Sequence, residues 1–331
     1  MTAMPQRILV TGATGFVGRH LMPQLRQAFP GATLIAAERP GGSRCPIADL
    51  HLPMDLGEAE TLESLVAQAR PDAVIHLAAQ ASVGAAFADP SGTWKANLLG
   101  TLSLASSVMR LAPQALFLFV SSAEVYGLSF RDIEAPLDEQ APLRPANPYA
   151  ASKAACDIAL GEMALRGLRC IRLRPANHTG PGQSHGFVVP DFARQIARIE
   201  AGLQEPVMRV GALDRWRDFL DVRDVCNAYA LALKAAPGLP MGSVYNLASG
   251  NPRRIGDMLE ALLSRSTARV EVVEDAARLR PTDVIRVAGN AAQAREHLGW
   301  MPEIGWDETL DSVLADWRAR VAAEKAGHTA F

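Results

Sequence analysis

Three glycines, Gly12, Gly15 and Gly18 in TGATGFVG, stand between an apolar stretch at Arg7 to Val10 and a segment, Phe16 to Gln27, whose apolar residues recur near period 3.6. Strand, glycine turn and helix in that order constrain the fold more than any other feature of the chain. The missing Cβ atoms allow a tight turn, close backbone approach to a pyrophosphate and close packing of helix on strand. The start of the helix adds unpaired N–H groups and a partial positive charge. A dinucleotide is the expected occupant, although the GxxGxxG spacing differs by one residue from the usual GxGxxG.

The same alternation continues. Strands are predicted at Thr33 to Ala37, Ala73 to His76, Leu116 to Ser121 and Arg169 to Arg174, with helices at Glu58 to Gln68, Trp94 to Arg110 and Tyr149 to Leu165 between them. Alternating strands and helices imply an α/β fold, a Rossmann-type doubly wound parallel sheet covered on both faces. After Pro175 a Gly/Pro-rich stretch, NHTGPGQSHG, leads to a helix at Pro190 to Gly202 and into a smaller carboxy-terminal substrate-binding lobe. A helix at Asp224 to Lys234 and a strand at Val244 to Ala248 return to the sheet, and helices follow at Ile255 to Ser264, Asn290 to Leu298 and Trp306 to Ala323. The expected division is thus 1–175 with 222–248 for the dinucleotide-binding domain, 176–221 with 249–325 for the lobe, and a tail at 326–331.

Charge narrows the function. Lys and Arg total 33 against 35 Asp and Glu, so no basic surface for nucleic acid is expected, and a small-molecule partner is the default. No apolar run approaches the roughly 20 residues of a membrane span, and the chain reads as cytoplasmic. Cys45, Cys156, Cys170 and Cys226 show no CxxC spacing, so buried free thiols and no metal are expected.

At the end of the second strand an acid binds an adenosine ribose diol, whereas an arginine favours a 2′-phosphate. Glu38 and Arg39 supply both types, which leaves NAD and NADP open; NADP is favoured if Arg39 folds over the phosphate while Glu38 turns to solvent.

Tyr149 and Lys153, in YAASK, lie on one face of a predicted helix. A free phenol has a pKa of about 10, so a phenolate at neutral pH needs roughly 4 kcal/mol of preferential stabilisation. A neighbouring ammonium and an oxidised nicotinamide ring can supply it. Ser122, in FVSSAEVYG, falls at a strand's carboxyl end and is expected to align a reacting oxygen with Tyr149, with Ser121 the competing assignment. His76 reads as packed beside the cofactor, because the acid role is already filled; His178 is ambiguous.

Together TGATGFVG, HLAA at His76 to Ala79, SSAEVYG and YAASK resemble the extended short-chain dehydrogenase/reductases, the nucleotide-sugar epimerases, dehydratases and reductases. The resemblance implies a bound NAD(P) and a triad of Ser122, Tyr149 and Lys153, the latter two also touching the cofactor. It implies further cofactor contacts from Gly12, Thr14, Gly15, Phe16, Val17, Gly18, Glu38, Arg39, Asp55, Leu56, Leu77, Ala78, Ala79 and Asn97. Substrate contacts are implied for Ser122, Glu124, Asn177, Val188 and Arg209, and for Arg217 and Arg280 at a diphosphate. Arginine suits that last task because it binds phosphate oxygens bidentately. NHTGPGQSHGFVVPDFARQIARIEAG, RDFLDVRDV and LRPTD look most like the GDP-6-deoxy-4-keto-mannose reductases, which implies a GDP-sugar substrate, with the GDP-mannose 4,6-dehydratases as competitors.

A dehydratase must also remove the C5 proton and protonate the departing C6 hydroxyl. Glu124 is a candidate base, but residue 123 is Ala where the dehydratase pattern carries a donor. Reduction of a C4 ketone, with Tyr149 as general acid, needs less and is the favoured reading; dehydration and epimerisation remain alternatives. A non-catalytic dinucleotide sensor is the alternative of a different class, opposed by the intact set of Ser122, Tyr149, Lys153, Arg217 and Arg280. Relatives of this kind commonly dimerise through the helix bearing Tyr149, where Ala154, Ala155, Ile158, Ala159 and Leu160 are small or apolar, so a homodimer is expected.

Overall fold

The computed structural model describes residues 4–278 and 284–327. The strands are β1 (Arg7–Thr11), β2 (Thr33–Glu38), β3 (Leu50–Pro53), β4 (Ala73–His76), β5 (Leu116–Val120), β6 (Cys170–Pro175), β7 (Asn177–Thr179), β8 (Val207–Val210), β9 (Trp216–Arg217), β10 (Phe219–Asp221), β11 (Ser243–Leu247), β12 (Arg253–Arg254) and β13 (Glu271–Glu274). The helices are α1 (Phe16–Ala28), α2 (Ala59–Ala69), α3 (Val83–Ala88), α4 (Pro90–Trp94), α5 (Gly100–Leu111), α6 (Ser129–Asp132), α7 (Pro148–Leu165), α8 (Val188–Glu200), α9 (Val222–Ala235), α10 (Ile255–Leu263), α11 (Ala292–Leu298) and α12 (Trp306–Lys325).

Seven strands form one sheet in the order β11-β6-β5-β4-β1-β2-β3, every pairing parallel. Side chains alternate across a strand, and the sheet's two faces divide accordingly. Ile8 and Val10 join Leu34, Ile75, Leu118 and Leu173 in one cluster, whereas Leu9 joins Ile35, Val74, Phe117 and Phe119 in the other. Both faces are covered by helices, so β5 (LFLFV) is apolar throughout rather than alternating. Strand β3, whose apolar residues are few, was not expected; it pairs with β2 at the edge.

A third cluster, with Phe192, Ile196, Leu259, Leu310, Val313 and Trp317, forms the lobe's core from α8, α10 and α12. The expected lobe boundary needs one correction. Ala291, Ala294, Leu298 and Trp300 pack into the sheet's first cluster, and the Trp300 indole N–H donates to the Asp224 carbonyl at 2.9 Å. The stretch from 291 to 300 therefore belongs to the dinucleotide-binding unit, because its apolar face is buried against α9 and β11 rather than against α12. All four cysteines are buried and free. Among the described residues no helix is long and apolar enough to cross a membrane, and no group of three or more His, Cys, Asp or Glu is placed to hold a metal ion.

Candidate active site

The parallel topology brings most of the expected residues to one edge of the sheet, because loops leaving the carboxyl ends of parallel strands open on the same side. Gly12, Thr14 and Gly15 follow β1, and Phe16, Val17 and Gly18 open α1. Glu38 and Arg39 end β2, Asp55 and Leu56 follow β3, Leu77, Ala78 and Ala79 follow β4, and Ser122 and Glu124 follow β5. Asn177 lies just beyond β6, on β7.

The turn after β1 fits a pyrophosphate by its geometry. Gly12 has φ +74°, and a Cβ there would come within 3.0 Å of the Ala78 nitrogen. At Gly18 a Cβ would sit 2.3 Å from the Gly12 carbonyl, which is why α1 can approach the turn so closely. The amino end of α1 has no side-chain cap at Gly15 and no acid in its first turn, so its N–H groups and partial charge are left for an anion. Phe16 stacks on His178 at 6.4 Å between ring centres, and His20 bonds the Pro181 carbonyl at 2.7 Å, joining α1 to the entrance of the lobe.

Glu38 departs from expectation. It is buried, and its carboxylate accepts from the Cys45 backbone N–H at 2.6 Å and from His51 Nδ1–H at 3.1 and 3.2 Å. It does not turn to solvent: a buried carboxylate needs partners, and these two donors hold it inward. Arg39, next in sequence, is exposed.

Asn97, expected near the cofactor, is tied into the protein by its side chain. Its amide oxygen accepts from Gln80 N–H at 2.8 Å, and its Nδ2 donates to the Gln80 carbonyl and the Ser152 hydroxyl, both at 3.0 Å. With its side chain fully engaged in protein, it ties the Leu77–Gln80 loop to α7. It sits in a π-helical turn, Lys95–Leu99, between α4 and α5, an irregularity frequent at functional sites. His76 is packed between Thr11 Oγ1 at 2.8 Å and Thr101 Oγ1 at 2.9 Å, and burial with the nearby Lys153 charge pushes its pKa down to about 3. It stays neutral at physiological pH, as a spacer rather than a proton donor. His178 is bonded to the Ala176 carbonyl, and burial lowers its pKa.

Tyr149 and Lys153 lie in the first turns of α7. Asn147 caps this helix by accepting from Ala150 N–H at 2.8 Å, and its Nδ2 donates to Glu124 at 3.2 Å. Asn147 is a residue that sequence reasoning missed; an Asn followed by Pro at the first helical position is a start signal that would have found it. Ser122 is hydrogen-bonded to the Tyr149 phenol, and its Oγ accepts from Glu124 N–H at 3.2 Å. Ser121 is buried with no hydrogen-bond partner for its hydroxyl, so Ser122 is the serine that meets the phenol.

The chain's own groups push the pKa of the Tyr149 phenol up to about 12, first by desolvation; the Ser122 bond opposes this and the Glu124 charge adds to it. Lys153 aims its ammonium elsewhere, donating to the Val120 carbonyl at 2.8 Å and lying 5.0 Å above the Phe119 ring. Burial lowers the lysine to about 8.

Behind this pair, Asp157 is fully buried on α7 and accepts from Arg172 at 3.0 Å and from Arg174 at 2.8 and 2.9 Å. Arg174 also donates to the Tyr126 hydroxyl at 2.9 Å, which in turn donates to Asn246 at 2.7 Å. The network locks α7 to β6 and β11.

In the lobe, Val188 opens α8 and Arg209 is exposed on β8, which pairs with β13. Arg217, on β9, donates to the Val284 carbonyl at 2.8 Å. Arg280 lies outside the described residues.

Comparison with known proteins agrees with this geometry. Residues 9–313 match the family model described as GDP-mannose 4,6 dehydratase. The chain is 40% identical over 323 residues to the GDP-6-deoxy-D-mannose reductase of Pseudomonas aeruginosa, covering 97% of this chain and 100% of that protein. The structure of RMD from Pseudomonas aeruginosa complexed with NADPH superposes with a TM-score of 0.82 at 38% identity, covering 95% of this chain and 99% of that one. The Thermus thermophilus UDP-glucose 4-epimerase complex with NAD gives 0.80 at 28% identity, covering 94% and 99%.

Proposed function

This chain belongs to the GDP-mannose 4,6-dehydratase family, within the extended short-chain dehydrogenase/reductases, and from that membership we propose that it reduces the C4 ketone of GDP-6-deoxy-4-keto-mannose to a GDP-6-deoxyhexose of the GDP-rhamnose type. It is an NAD(P)-dependent nucleotide-sugar oxidoreductase. The observation that carries this reading is the 40% identity, over nearly the whole length of both chains, to a GDP-6-deoxy-D-mannose reductase.

A bound NAD(P)H, its pyrophosphate received by the glycine turn after β1, would supply the hydride. The chain's own work is positioning and proton transfer. Tyr149 donates the proton that the C4 oxygen takes up as the carbonyl carbon becomes tetrahedral, and Ser122 holds the same oxygen in line. Lys153, one helical turn after Tyr149 and donating to the Val120 carbonyl, supplies an ammonium charge that favours the phenolate left by the transfer, and solvent returns the proton to the phenolate. Glu124, held by Asn147, faces the sugar; a dehydratase would use it as base, and the Ala at position 123 favours reduction. Asn177, Val188 and Arg209 serve the substrate side, and Arg217 and Arg280 answer the phosphates.

NADPH is the preferred cofactor in this reading, because Arg39 is exposed at the end of β2 whereas the Glu38 carboxylate is turned inward. The enzyme works as a cytoplasmic homodimer. Ile158 is 62% exposed on α7 and Leu99 is 57% exposed on the neighbouring π-turn, whereas Ala154 and Leu160 are core. Sedimentation of the purified protein at the mass of one chain would refute the dimer.

The deciding experiment incubates the purified chain with NADPH and GDP-6-deoxy-4-keto-mannose and identifies the sugar. Oxidation of NADPH with a GDP-6-deoxyhexose product is expected; conversion of GDP-mannose to the keto sugar without net cofactor use would overturn the reading in favour of dehydration. Replacing Arg217 with Ala is expected to raise KM by about tenfold or more with a smaller change in kcat, since a phosphate contact serves ground and transition states alike. An unchanged KM would remove Arg217 from the diphosphate site.

A further inference from the structure

Glu38 stands at the carboxyl end of β2, where a carboxylate ordinarily reads the adenosine ribose diol. Here both of its anchors lie on its own side of the fold: Cys45, itself buried in the sheet's first cluster, and His51 on β3. The bond from Cys45 N–H to Glu38 also staples the ends of the intervening loop. That loop turns at Gly42, whose N–H donates to the Arg39 carbonyl at 3.0 Å, and it exposes Arg39, Ser43 and Arg44.

We infer that His51 is a specificity-determining residue: by holding Glu38 inward it removes the carboxylate that would pair with an unmodified ribose and repel a 2′-phosphate, and so selects NADPH over NADH. The inference rests on the NADPH preference proposed above and names the device that produces it. Two physical effects act in the same direction. A carboxylate already accepting two hydrogen bonds has little to gain from the ribose hydroxyls, and its distance from the phosphate site lowers like-charge repulsion there. With the carboxylate withdrawn, Arg39 and Arg44 dominate the local field, and a dianionic phosphate is the group they suit. Release of Glu38 would reverse both effects.

The test is direct titration of the full chain with NADPH and with NADH, followed by cofactor fluorescence, so that no turnover is required. The wild-type protein is expected to bind NADPH more tightly. In His51→Ala the ratio of the two Kd values should fall by about tenfold or more, the size of one charge-assisted hydrogen bond gained or lost. His51→Gln, which keeps a donor, should hold the wild-type ratio. Adding Glu38→Gln to His51→Ala should restore it, because the freed charge is then gone. His51→Phe, of near-equal volume, repeats the test without leaving a cavity. An unchanged ratio in His51→Ala and His51→Phe, or a lowered ratio that Glu38→Gln does not rescue, would overturn the role of His51 while leaving the NADPH preference standing. A wild-type ratio favouring NADH would defeat that preference at once, and the selecting role of His51 with it.

Discussion

Replacing Tyr149 with Phe lowers turnover by about 10²- to 10⁴-fold, the range for a lost general acid, with the fold and cofactor affinity retained. The ring remains to pack under α7, and only the hydroxyl hydrogen-bonded to Ser122 is removed. Cofactor titration and circular dichroism should therefore match the parent, whereas kcat and kcat/KM fall together, the mark of an interaction made in the transition state. Turnover near the parent's would take Tyr149 out of the mechanism. The pH profile separates the phenol from its neighbour. Tyr149, at about 12, keeps its proton across the working range, whereas Lys153 is charged below about 8 and loses its charge as pH rises through that value. The alkaline fall in kcat should thus lie near pH 8, and Lys153→Met should abolish that limb along with most of the activity.

Removing the Asp157 carboxylate, as in Asp157→Ala, is expected to destabilise the protein by about 3–5 kcal/mol, the usual result of breaking a buried ion pair from one side. Arg174, itself buried, would keep its charge and lose its carboxylate acceptor, and the partly buried Arg172 would lose one as well. A large fall in the denaturant midpoint with an unchanged slope is the expected reading. A loss under about 1 kcal/mol would show that water or the Glu139 carbonyl replaces the carboxylate without cost, against the expectation for desolvated charges. Because α7 carries Tyr149 and Lys153 at its start, any destabilised but folded variant should also lose alignment of the acid, seen in kcat more than in KM.

Much of the fold was legible because its signals are local. The glycine turn needs only neighbouring residues to show that strand, turn and helix succeed one another, and the strands buried on both faces read as apolar runs. The short edge strand β3 escaped because LHLP carries little apolar signal; only pairing with β2 makes it a strand. The 291–300 stretch was assigned to the wrong unit because its helix period says that a face is buried, and not against what. At the site, the placing of Tyr149 and Lys153 on one helix and of Ser122 after β5 followed from their motifs. The inward Glu38, the engaged amide of Asn97 and the ammonium directed at Val120 depended on partners brought from 7 to 55 positions away in the chain.

The order of residues by itself determined a parallel sheet, a phosphate cradle at its first turn and a phenol paired with a lysine, since each is written in spacings of a few residues. The tertiary structure alone decided the protonation and direction of those groups. Desolvation and hydrogen bonding depend on what surrounds a side chain in space, and that set a desolvated phenol, a lysine turned to a carbonyl and a Glu38 carboxylate held inward by Cys45 and His51.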